Sequence, residues 1–174
     1  SYSRQLDSHL FKINTKYTNE YLRYCTDYPE NQNTAKVNNH YRQEDVYGAA
    51  CYSWAPLGWL SLNASYDIRY SKLSADLKHF STVHRMDQKQ VAAMQINWKG
   101  IQIAASILHQ HYKDHTKLHT GAADPLDRYT PAIIIGYTYK GLSTRAWYKK
   151  IFRAPTLNDL YYTQAGNRNL KPEY

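Results

Sequence analysis

Between Trp59 and Tyr70 the chain reads Trp-Leu-Ser-Leu-Asn-Ala-Ser-Tyr-Asp-Ile-Arg-Tyr. Leu60, Leu62, Ala64, Tyr66, Ile68 and Tyr70 fall on one side of an extended chain, and Ser61, Asn63, Ser65, Asp67 and Arg69 on the other, because strand side chains alternate faces. Wound as a helix, the same apolar residues would spread round the circumference and leave no stripe to bury. The stretch is expected to be a half-buried β-strand. What remains is what lies against each face: a protein core and water, or lipid and a wet lumen.

The pattern recurs along the chain. Phe11, Ile13, Thr15 and Tyr17 alternate with charged and polar residues between His9 and Tyr24, and Val46, Gly48, Ala50, Tyr52 and Trp54 do so between His40 and Trp54. Ala55-Pro56-Leu57-Gly58 reads as the tight turn leading into Trp59. A fourth strand carries Ala92, Met94, Ile96 and Trp98, and a fifth Ile101, Ile103, Ala105 and Ile107, joined by Lys99-Gly100 with glycine at positive φ. Tyr129, Ile133, Ile135, Tyr137 and Tyr139 form a sixth, and Lys140-Gly141 turns it into Leu142, Thr144, Ala146 and Tyr148 of a seventh, which runs to Lys149. The longer connections, Asp27–Asn38, Ser71–Val83 and His109–Arg128, are polar.

Seven strands with strictly alternating long and short connections put every long loop at one end of an up-and-down sheet and every tight turn at the other. Outer-membrane barrels have that asymmetry, and the clustering of Tyr52, Trp54, Trp59, Trp98, Tyr137 and Tyr139 near the turns is what an interfacial girdle predicts. Eighteen tyrosines and four tryptophans against three phenylalanines give most aromatic area a polar handle, suited to such a boundary. A soluble meander barrel binding a small lipophilic ligand would show the same alternation with the faces reversed. Strand length favours the membrane, since the runs exceed the ~5–6 residues of ordinary soluble strands. The expected fold is therefore all-β, an antiparallel up-and-down transmembrane β-barrel segment. Bacterial single-chain barrels have even strand numbers, so about seven strands imply a piece of a larger barrel with edges needing partners.

Other classes find little support. The longest apolar runs, Ile103–Leu108 and Ala132–Gly136, are too short for a spanning helix. The net charge of +8 is spread over every segment without a basic stripe, which argues against nucleic acid. Cys25 and Cys51 form no Cys-x-x-Cys pattern and are expected to be unpaired. No nucleophile elbow, metal-hydrolase helix or glycine-rich phosphate loop occurs, so no enzyme, metal centre or cofactor is expected.

Toward the end stand Phe152-Arg153-Ala154-Pro155, then Asn158-Asp159-Leu160-Tyr161, then Gly166-Asn167-Arg168-Asn169-Leu170-Lys171-Pro172-Glu173. This closely resembles the signature of TonB-dependent outer-membrane receptors, which have an aromatic-Arg-Ala-Pro segment, an acidic-Leu-Tyr segment and Gly-Asn-Pro-Asn-Leu-Lys-Pro-Glu linking two barrel strands. Arg168 stands where those receptors usually have proline. Physically, Pro155 ends a strand, Asn158 and Asp159 suit the cap of a short turn, and Pro172 sets up the next strand.

The resemblance implies a barrel of roughly 22 strands plugged by a separate domain, sitting in the bacterial outer membrane. It would import a scarce metal chelate (siderophore-iron, cobalamin or haem) with energy coupled through TonB. Residues 1–174 would be a middle section of that barrel, without plug or closing strands, with lipid, the plug, the rest of the barrel and the chelate as partners. Candidate ligand contacts are His109, His111, His115 and His119, expected at the rim and on the loop beyond the fifth strand, where imidazole could ligate haem iron or grip a chelate. Tyr112, Tyr161 and Tyr162 could pack on a flat ligand, and Arg153 is a charge near the lumen wall needing a partner. Haem receptors of this type often carry a histidine between the two halves of the signature, and Thr156–Gly166 has none, which counts against haem. Asp67, Arg69, Arg145 and Lys149 read as lumen wall facing the plug.

Overall fold

A computed structural model of the chain describes residues 1–26, 37–77, 80–117, 121–162 and 166–173. Their alternating residues form β1 (Tyr2–Leu6), β2 (His9–Thr26), β3 (Val37–Leu57), β4 (Leu60–Ala75), β5 (Val83–Trp98), β6 (Ile101–Thr116), β7 (Leu126–Tyr139) and β8 (Leu142–Lys149), followed by a short helix α1 (Leu157–Tyr161). All pair antiparallel with their sequence neighbours in one sheet ordered β1 to β8. The sheet is thus an up-and-down barrel segment of eight strands, one more than the expected seven. β1 was the strand missed, because five residues interrupted by Arg4 are too few to show a period of two. The argument from an odd strand count therefore falls away. An open order ending at β1 and β8 makes the same point, since two edges unpaired among the described residues call for partners.

Both Lys-Gly turns form as expected, with Lys99 and Gly100 at φ 44° and 85° and Lys140 and Gly141 at 45° and 84°. Paired left-handed residues match the twist of the flanking strands. The turn expected at Ala55–Gly58 lies later, at Gly58–Trp59, so Trp59 belongs to the turn and the strand opens at Leu60. The register slips between Trp54 and Leu57, where Pro56 has no N–H to give the ladder. Both cysteines are free.

The faces separate as the alternation requires. Leu60, Ile96, Ile103 and Ile135 are mutually in register on one face, and none of them is buried. Trp98, Tyr137 and Tyr139 mark its tight-turn end, all about half exposed. About ten residues further along their strands Tyr17, Tyr70 and Tyr129 form a second exposed aromatic row, and beyond it the same face turns charged with Arg42, Glu44, Lys72 and Lys113. An apolar band bounded by two aromatic rows, about ten residues tall, is what a lipid-facing strand wall needs. A soluble barrel would have buried it.

The buried apolar cluster sits on the other face, at the long-loop end: Tyr41, Leu73 and Val83 of the sheet against Leu157, Leu160 and Tyr161 of α1. Each such buried side chain stabilises the docked helix by ~1.5–3 kcal/mol. Five residues cannot hold a helix by themselves. Thr156 caps α1, its hydroxyl accepting from Asp159 N–H (3.2 Å) while its own N–H donates to the Asp159 carboxylate (2.9 Å). The cap is thus Thr156 with Asp159, where Asn158 with Asp159 was expected. Asn158 contributes its carbonyl, which accepts from Tyr162 N–H. The wider contrast with the sequence reading is strand length. β4 and β6 run on, and β7 begins early, through stretches expected to be loops. Above the lipid both faces are wet, so hydropathy stops alternating while the hydrogen-bond ladder continues.

Candidate functional site

The polar face at the long-loop end is organised by one arginine. Arg85 on β5 stands in register with Asp114 on β6 and grips it with two parallel bonds, Nε to Oδ1 at 2.6 Å and a terminal nitrogen to Oδ2 at 2.7 Å. Its remaining guanidinium nitrogen donates to the carbonyl of Pro155 at 2.7 Å. Both side chains are nearly dry, 10% and 3% exposed. Buried charges at this spacing are retained only where hydrogen bonds satisfy them, and the planar fork of arginine suits the task. Tyr161 completes the arrangement: its hydroxyl donates to Asp114 Oδ2 at 2.7 Å and accepts from the Ala123 N–H at 2.8 Å. Burial first, and the Asp114 carboxylate with it, push the Tyr161 phenol up to about 12, although the Ala123 N–H pulls the other way. Asp159 is held below the usual carboxylate range by the Thr156 N–H and hydroxyl.

This latch folds the signature segment over the sheet. Arg153 pairs with Glu173 in an isolated β-bridge and an ion pair at 3.5 Å, which supplies the partner its charge requires. Asn167 N–H donates to the Asp159 carbonyl, and the Asn167 side chain accepts from Asn169 N–H at 3.0 Å. Gly166 is fixed by space: a Cβ there would lie 2.7 Å from the backbone N and O of Tyr162. Arg168 lays its guanidinium over the Tyr161 ring at 6.0 Å, a contact the proline usual at that position could not make. Phe152 lies 6.4 Å from the Tyr112 ring, Ala154 and Pro172 are half-buried, and Leu170 is exposed.

Below the latch, Lys16, Asp45, Tyr47, Asp67, Arg69, Asp87 and Lys89 line a polar hollow of about 320 Å³. Tyr47 donates to Asp67 at 3.0 Å and Lys89 pairs with Asp87 at 3.2 Å. Asp87 Oδ1 is buried with no hydrogen-bond partner among the described residues. An unmet carboxylate oxygen is costly. Arg145 and Lys149 extend this face along β8, both exposed.

The predicted contacts divide by face. Tyr112 lies on the polar side, with Arg85 and Lys89 about 6 Å from its ring, and Tyr161 joins it through Arg85 and Asp114. Tyr162 stacks on Tyr41 at 4.2 Å as a packing residue. His109, His111 and His115 belong to β6, not to a loop, and share the face of Ile103 and Ile107, turned away from the latch. His109 and His111 both bond Asp127, and His109 stacks on Tyr129. His119 lies outside the described residues. Among the described residues no group of three or more His, Cys, Asp or Glu is placed to hold a metal ion. The residues that sequence reasoning missed are Arg85, Asp87 and Asp114. For Arg85 and Asp114 the only sequence signal was opposite charge at positions facing each other across the Lys99-Gly100 hairpin; Asp87, opposite Tyr112, had none.

An antiparallel meander with a lipid-length apolar face, two aromatic rows and a connecting segment latched over its polar face defines a wall section of a transmembrane β-barrel. Comparison with family models identifies it further: the TonB dependent receptor-like β-barrel family matches residues 1–174, and the chain belongs to that family. No curated protein matches it. The family's barrels are outer-membrane transporters that work with a plug domain and TonB.

Proposed function

We propose that residues 1–174 are a middle section of the barrel of a TonB-dependent transporter, importing a scarce metal chelate of the siderophore-iron, cobalamin or haem class across the bacterial outer membrane. The observation that carries this reading is the latch. Arg85, Asp114 and Tyr161 tie the signature segment across the polar face at the long-loop end, where a lumen would open to the outside. The charged hollow beneath supports it, because the uncommitted oxygen of Asp87 calls for an N–H or cationic donor, and a plug domain would supply one. The hollow between β5–β7 and the signature is about 270 Å³. That is below the ~300–1,000 Å³ of ordinary ligand pockets, so a chelate would meet this section as one wall of a larger site. Tyr112 is the first residue proposed to touch it, with the half-buried Tyr162 ring and the exposed Arg153 next.

The test is uptake by the full-length receptor in a strain stripped of its own receptors, supplied in turn with ferric siderophores, cobalamin and haem. Import of one class, abolished when TonB is deleted and weakened by Tyr112→Ala, is the expected result. Failure to import any of the three by a correctly folded receptor would overturn the assignment.

A further inference from the structure

Three arginines stand in or against the signature segment, and two of them are spent. Arg85 is paired with Asp114 and the Pro155 carbonyl, and Arg153 with Glu173. Arg168 is exposed, and among the described residues it forms no ion pair and donates no hydrogen bond. It is nevertheless held in place. Its guanidinium lies over the Tyr161 ring at 6.0 Å, and so close to Gly121 that a Cβ there would overlap its terminal nitrogen. Gly121, at φ 121°, leaves it that room. Tyr161 is fixed in turn by Asp114 and the Ala123 N–H. Arg168 and Lys171 both line the hollow of about 270 Å³, which Tyr112 lines from the sheet. Lys171 and Asp124, the other uncommitted charges on that hollow, form no ion pair among the described residues, so it keeps one positive charge in excess.

We infer that Arg168, standing where the signature usually has proline, binds a carboxylate carried on the outside of the imported chelate, with Lys171 on the same hollow as a second positive charge. A guanidinium presents a planar fork that matches a carboxylate through two parallel N–H bonds, and all of this one's N–H groups are unspent. A side chain already fixed by packing loses less freedom on binding than a free one. Proline offers neither charge nor N–H. The exchange of proline for arginine therefore turns a structural position into a charge filter, which favours acidic chelates over neutral ones. Tyr112 meets the body of the same chelate from the sheet side. The inference rests on the transport reading for the class of its ligand.

The full-length receptor in nonionic detergent would be titrated calorimetrically with ferric citrate and haem, which carry free carboxylates, and with ferrichrome and cobalamin, which carry none. One of the first two should bind at least tenfold tighter than either of the others, and Arg168→Gln should weaken it about tenfold. Arg168→Lys, which keeps the charge and loses the fork, should fall between. Lys140→Gln, which removes the same charge from a tight turn at the other end of the sheet, should leave it unchanged. Binding of neither carboxylate chelate, or a preference that survives Arg168→Gln, overturns the inference; so does an equal loss for all chelates, since that is what a merely structural arginine would give. Displacement by acetate at equal concentration would overturn the assignment to cargo. If Arg168→Gln fails the heat-modifiability test for folding, the wild type decides: carboxylate-chelate binding that does not weaken with salt refutes a charge-held ligand. Selective binding without TonB-dependent import would uphold the subsite and sink the transport reading alone.

Discussion

Replacing Arg85 by methionine should release the signature segment from the sheet while leaving the barrel folded. The substitution leaves Asp114, 3% exposed, with a buried charge and only Tyr161 to answer it. Breaking a buried pair by removing one partner costs about 3–5 kcal/mol, which raises the opening equilibrium of α1 by about two to four orders of magnitude. The double variant Arg85→Met/Asp114→Leu removes the stranded charge. It leaves the Pro155 carbonyl and the Tyr161 hydroxyl each short of one bond, at about 0.5–1.5 kcal/mol apiece. It should therefore be looser than wild type by only about 1–3 kcal/mol, and tighter than the single variant. Amide hydrogen exchange at Leu160 and Glu173, whose N–H groups bond Thr156 and Arg153, reads the opening directly. Heat-modifiable gel migration confirms the barrel itself. A double variant as loose as Arg85→Met would refute the reasoning, because the penalty would then come from lost bonds or packing and not from an uncompensated charge.

Neighbouring residues test the facing of β7: Ile135→Arg should destabilise the folded receptor in bilayers by about 2–4 kcal/mol, whereas Ile134→Arg, on the polar face, should be nearly neutral by urea unfolding; equal effects would overturn the facing. Gly166→Ala should loosen the segment, since its Cβ would press to 2.7 Å on the backbone of Tyr162, and exchange at Asn167 N–H would report it. Tyr161 has its pKa raised from the ordinary value near 10 to about 12, so its contribution is complete below pH ~10 and lost as pH rises through about 12. Alkaline titration should free the segment in that window in wild type, and Tyr161→Phe, already weakened, should show no such step.

The band that faces lipid was legible residue by residue. Leu60 to Tyr70 and Ile101 to Ile107 alternate because one side must be apolar and the other wet, and a turn of the Lys-Gly type needs positive φ whatever surrounds it. What failed was the inference that strands end where alternation ends. From His109 to Thr116 the ladder continues, with His111 opposite Gln88 and His115 opposite His84. Water on both faces no longer selects residues by hydropathy, so the stretch looked like a loop and its histidines looked free to reach a ligand. Their side is instead set by parity: His109, His111 and His115 keep step with Ile103 and Ile107 and therefore look toward the membrane.

The latch shows what that mistaken boundary concealed. Arg85 lies thirteen residues before Trp98, and Asp114 thirteen after Ile101, the two ends of the Lys99-Gly100 turn. A two-residue turn fixes register for as long as two strands remain paired, so the hairpin alone determines that these charges meet. Nothing about local composition would suggest it, since each sits in a polar stretch among other charges. The missing premise was that pairing outlasts the lipid, and above the membrane it is opposite charge at matched distances from a turn, not hydrophobic period, that carries the information. The same counting does not reach Pro155 or Tyr161. Their place depends on Leu157 and Leu160 finding Tyr41, Leu73 and Val83, a contact between segments that no turn connects.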